Sequence, residues 1–200
     1  MKKSVKKFLL IALGALGAAA NQTALADQAT CGTTPCSAGP LSVNFSIVIP
    51  PVLRFQIGET AATSPNVQWT AGNITSANIG TGPVNADTVS NGGVGGPTLV
   101  DYALMSNLSS NDATITASAV GTLNGLTPGN TIPNTDITAQ SNSTNAWAAV
   151  PMPVAGTTTT VTPSSGVINA AGTWQYQFAN SAIYPADTYT GTITYTVSQN

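Results

Sequence analysis

Two cysteines and seven carboxylates are the residues of this 200-residue chain with chemistry to offer, and no histidine accompanies them. Cys31 and Cys36 enclose Gly32-Thr33-Thr34-Pro35, a spacing that fits neither a redox Cys-x-x-Cys pair nor a metal site lacking further soft ligands. A disulfide is the reading that remains. So small a ring restrains the unfolded chain by about 2 kcal/mol. Glu59 and six aspartates could in principle supply a glycosidase pair, but nothing in their spacing selects two of them. A Ser, Thr or Cys nucleophile needs a base, and histidine is absent while every lysine lies within the first seven residues. Asp87, Asp101 and Asp112 lack the close oxygen-ligand spacing of a calcium loop. The expectation is a non-enzyme with no cofactor and no metal.

The elements that must carry these residues begin after an export signal. Lys2, Lys3, Lys6 and Lys7 precede an apolar run from Phe8 to Ala20, and Ala24-Leu25-Ala26 supplies a small-x-small cleavage site before Asp27. The run is too short to cross a bilayer, which takes about twenty apolar residues. Removing residues 1–26 leaves Arg54 as the single base against seven acids, a formal charge of −6. Binding to nucleic acid or to anionic lipid rests on clustered Lys and Arg, so neither partner is expected, nor is membrane insertion of the mature chain. An oxidising compartment suits the cysteine pair. The chain is expected to pass through the periplasm and to act secreted or at the cell surface.

Three segments follow: the signal peptide (1–26), an N-terminal segment with the small disulfide loop (27–40), and one β-domain (41–200). The domain announces itself at Leu41, Val43, Phe45, Ile47 and Ile49, which occupy alternate positions and so share one face of a strand. Pro50-Pro51 interrupts, because proline cannot donate to a ladder, and Leu53, Phe55 and Ile57 resume the alternation. Further strands are expected at Val67–Trp69, Thr98–Met105, Ala113–Ala119, around Ile137, at Trp147–Val154, at Thr157–Thr162 and at Trp174–Phe178. A last one runs from Tyr189 through Ile193, Tyr195 and Val197. Residues 91–97 and the stretch Gly121–Thr135 read as loop and turns. Short alternating strands with frequent turn residues predict an all-β fold, an antiparallel immunoglobulin-like β-sandwich.

Ile183, Pro185 and Tyr189 have the spacing of a tyrosine corner, or of an ordinary proline turn before a strand. As a corner, Tyr189 opens the sixth strand of such a sandwich, and eleven residues leave no room for a seventh. The groove so left open could accept Leu41, Val43, Phe45, Ile47 and Ile49 from a neighbouring copy, joining subunits by strand addition. The same five residues could instead pair within their own domain as its first strand. A mature chain with no lysine also lacks the commonest guard of sheet edges, which points toward self-association.

Pro185-Ala-Asp-Thr-Tyr-Thr-Gly-Thr-Ile-Thr-Tyr-Thr-Val-Ser198 resembles the closing strand of chaperone–usher fimbrial subunits, including the spore-coat-protein-U-like branch. Ser106-Asn107 followed by Ala113–Ala117 is similar to a core strand of such subunits and of WxL-type surface domains. Fimbrial subunits usually bridge cysteines across the domain, whereas Cys31 and Cys36 close a local ring, and none of the three tryptophans stands in Trp-x-Leu. The resemblance implies a cell-surface structural subunit of a pilus or biofilm fibre involved in adhesion, handled in transit by an export chaperone. A monomeric secreted module that binds a glycan or a protein partner is the other reading.

Overall fold

The computed structural model describes residues 30–37, 39–59, 64–108, 110–118 and 120–200. The expected signal peptide lies outside them. Contacts divide the chain into two units, Met1–Val48 and Ile49–Asn200. The described part of the first contains no strand; Cys31 and Cys36 are joined in a disulfide there.

The second unit is all-β. Its strands are β1 (Leu53–Ile57), β2 (Asn66–Gln68), β3 (Val84–Asn85), β4 (Thr88–Ser90), β5 (Val100–Ser106), β6 (Ala113–Ala117) and β7 (Thr122–Gly125). There follow β8 (Thr131–Pro133), β9 (Ile137–Ser143), β10 (Thr158–Val161), β11 (Ile168–Phe178), β12 (Tyr189–Thr190) and β13 (Tyr195–Gln199). All pairings are antiparallel. The larger sheet runs β1-β5-β11, with β9 and the short β3 also on β11. Opposite it stand β10-β6-β13 and β12-β7-β8, while β2 and β4 form a separate pair.

The two smaller sheets are halves of one interrupted surface. Between the partnered residues Ala117↔Tyr195 and Asn124↔Thr190 the β6–β7 side holds two more residues than the β12–β13 side. Ser118 bridges this bulge: its N–H donates to Thr194 O (2.7 Å) and its Oγ accepts the Thr194 N–H (3.1 Å). The expected single strand from Tyr189 to Val197 is therefore two. A bulge bends a strand and sharpens its twist, which lets the far half follow the curvature of the larger sheet.

Alternation puts Val100, Tyr102 and Leu104 of β5, Ala113, Ile115 and Ala117 of β6, and Ile168, Ala170, Trp174, Tyr176 and Phe178 of β11 in one core. Trp174 is completely buried at its centre. It stacks on Tyr102 with centroids 5.0 Å apart, and meets Tyr195 of the opposing layer at 5.7 Å. Two antiparallel layers enclosing one apolar core is an arrangement consistent with a β-sandwich.

Two expectations are corrected. Trp147–Val154 is not a strand, although Val150 and Met152 are buried. Side chains take up the backbone there: Val150 N donates to the Tyr102 hydroxyl (2.8 Å), and its carbonyl accepts from Trp174 Nε1 (2.9 Å) and Ser141 Oγ (2.6 Å). A buried backbone group needs a partner but not a ladder, and here three polar side chains serve. Gly121–Thr135 was expected as turns, and it holds the hairpin β7–β8.

Candidate assembly interface

The stretch Leu41–Ile49 carries the strongest alternation in the sequence and yet belongs to no strand. Leu41, Val43, Phe45, Ile47 and Ile49 are 58, 73, 86, 84 and 74 % exposed. The expected strand at Leu41–Ile49 is therefore not formed in the described chain. The ladder starts only at Leu53, opposite Ser106, and runs to Ile57 opposite Tyr102.

Residues 50–52 are tied to the end of β5 by Asn107, through its backbone N–H and its side-chain amide. Asn107, directly after β5, receives the Val52 N–H on Oδ1 (2.6 Å), donates its own N–H to Val52 O (3.1 Å) and donates Nδ2 to Pro50 O (2.9 Å). Its amide thus extends the β1–β5 pairing past the point where Pro50 and Pro51 stop donating.

Two edges lie open on this side of the unit. Among the described residues β1 pairs only with β5, and β13 only with β6. Leu53, Phe55 and Ile57 on the first edge, and Tyr195 and Val197 on the second, pack on the core while remaining half-exposed. Ser106 Oγ bonds to Gln199 Oε1, tying the layers together at one end of the gap. Half-buried apolar side chains on two facing edges mark a core with one side incompletely covered. The Tyr195 hydroxyl is buried near this edge beside that of Tyr176, without a hydrogen bond of full geometry.

Four of the carboxylates bind neighbouring segments of the chain. Asp101 accepts from Val94 N (2.8 Å) and Gly95 N (3.1 Å), fastening the glycine loop 91–97, where a Cβ on Gly93 or Gly95 would strike that same carboxylate. Asp87 receives Thr70, and Asp136 receives the Tyr184 hydroxyl (2.7 Å). Asp187 accepts Leu126 N (3.1 Å), Thr127 N (2.9 Å), Thr188 N (2.8 Å) and Asn130 Nδ2 (2.9 Å). These donors, that of Asn130 foremost, hold its pKa down at about 2. Asp27 lies outside the described residues. Among the described residues no three metal-ligating side chains gather.

The tryptophans split. Trp174 is core, and Trp69 donates Nε1 to Val84 O (2.9 Å) edge-on to Phe178. Trp147 is half-exposed on a turn after β9 closed by Ser143 Oγ and Asn145. A pocket of about 310 Å³ is lined by Gln56, Val94, Asp101, Ala103, Thr144 and Ala171, among others.

Comparison with protein-family models, with curated proteins and with solved structures finds no match to this chain.

Sequence reading named Asn107 only within a resemblance and missed its bonding role. Its partners Val52 and Pro50 lie 55 and 57 residues away, so nothing local signals it.

Proposed function

We propose that the protein is an exported, non-catalytic structural subunit of a pilus or biofilm-type surface fibre involved in adhesion. Copies join by strand complementation: Leu41, Val43, Phe45, Ile47 and Ile49 of one molecule complete the open side between β1 and β13 of the next. In this reading the domain is immunoglobulin-like, with β13 in the place of a sixth strand and a donated strand as the seventh. The single observation that carries it is the pairing of an exposed alternating apolar arm with two half-covered apolar edges on one chain. Burial of such a side chain contributes roughly 1.5–3 kcal/mol, so five of them favour a durable join. The disulfide at Cys31 and Cys36 agrees with passage through an oxidising compartment, where an export chaperone would shield the same edges.

Deleting residues 27–49 is expected to leave a soluble monomer, whereas mature full-length protein elutes as assemblies and forms filaments in negative stain. Filaments formed by the truncated chain would end this reading. A monomeric secreted module for a glycan or a protein partner is the second reading, drawn from the pocket beside Val94 and Asp101. It requires a single monomeric elution peak from the full-length chain, and tryptophan fluorescence that changes when glycan is added.

A further inference from the structure

The outer face of β10-β6-β13 repeats one kind of side chain in two directions. Cross-strand register sets Thr158, Thr116 and Thr196 in one row and Thr160, Thr114 and Ser198 in the next. Ala113, Ile115 and Val161 between them are buried, and alternation sends these six to the opposite side. Thr114 is half-exposed and the other five are exposed. Asp112 stands beyond one end of the rows, Ser118 and Thr194 beyond the other, and no charge lies between. Threonines opposite one another on adjacent strands can hydrogen-bond together. Here none of the six hydroxyls bonds to any group among the described residues, so all are offered to solvent.

The geometry of the rows is fixed by the backbone. Adjacent strands lie about 4.8 Å apart, and alternate residues along a strand about 6.8 Å. A β-branched side chain is stiff at χ1, so hydroxyl and methyl keep this spacing. A prism face of ice presents water oxygens at two perpendicular repeats close to these. The rows hold no aromatic ring on which a sugar could stack, and no cation for phosphate.

We infer that this face adsorbs to ice, its hydroxyls and methyls ordering the first layer of lattice water. The inference is independent of how copies of the chain join. Strand twist confines the match to a small patch, so each molecule adsorbs weakly and the readout must accumulate the effect.

The test freezes dilute mature protein slowly onto a cold finger and measures the share carried into the ice. Recrystallisation of a thin ice film is the second readout. Wild type is expected to enter the ice and to keep the grains small, whereas the advancing front rejects an ordinary solute. Thr116→Lys and Thr196→Lys each put a charge into the first row and should lose both effects. Asn169→Lys makes the same change of charge on the exposed outer face of the larger sheet and should keep them. Far-ultraviolet circular dichroism confirms that each variant is folded. Rejection of wild type from the ice overturns the inference, as does an equal loss in Asn169→Lys. If Thr116→Lys instead shifts the elution volume away from that of wild type, a second copy covers the face and ice does not.

Discussion

The hydroxyl of Tyr189 donates to the carbonyl of Pro185 at 2.8 Å, closing the turn that feeds β12. Of the two sequence expectations for Ile183–Tyr189, the geometry selects the tyrosine corner over a plain proline turn. Tyr189→Phe keeps the ring between Tyr184 and the strand and removes only this bond. Unfolding in urea should show a lowered midpoint, since a lost hydrogen bond costs some net stability. An unchanged midpoint would mean the turn holds without it.

Tyr195 predicts the opposite sign. Its buried hydroxyl lies beside that of Tyr176 without a hydrogen bond of full geometry, so Tyr195→Phe removes a desolvated polar group and leaves the packing on Trp174. Stability should be unchanged or higher. A marked loss would show that the hydroxyl is bonded after all.

Trp174→Ala deletes the largest buried side chain and leaves Val150 O with Ser141 Oγ as its remaining side-chain donor. A cost of roughly 3–5 kcal/mol follows for a large-to-small change of this kind. Trp174→Phe, which restores part of the volume but not the N–H, should recover part of it; equal losses from both would assign the effect to the hydrogen bond.

Asp187 gives the acid limb of stability. Its pKa is lowered from 3.8 to about 2, so the carboxylate form is favoured by folding. The sign is that of a depressed acid: its contribution is present above pH 4 and is lost as pH falls toward 2. Asp187→Asn should flatten the stability profile in that window and loosen Leu126–Asn130, read by hydrogen exchange at Leu126 and Thr127. A profile identical to wild type would remove the clamp from the account.

At the alkaline end burial raises Tyr176 well above its ordinary value, and burial also raises Tyr195. Neutral phenol is favoured by folding, so that stability is full below pH 10 and declines as pH rises through the folded values. Phenolate absorbance of these two should develop together with unfolding rather than before it.

The sequence by itself determined the class of the fold, because period-two alternation and turn residues act locally. Thr98–Met105, Ala113–Ala119, Thr157–Thr162 and Trp174–Phe178 each coincide with a strand of the structure to within a few residues, apart from the N-terminal half of β11. That half, Ile168–Thr173, was invisible because Asn169, Ala170, Ala171 and Gly172 carry little apolar contrast. Gly172 is there for a tertiary reason: a Cβ would collide with Asn142 O and the Tyr102 hydroxyl. Only the tertiary structure decided that Trp147–Val154 gives its backbone to side chains, and that Tyr189–Val197 breaks between Thr190 and Tyr195, opposite Ser118. It alone left the most strand-like stretch, Leu41–Ile49, outside every sheet. Alternation says which face of a segment seeks cover, but the cover itself is supplied by residues far along the chain or on another molecule.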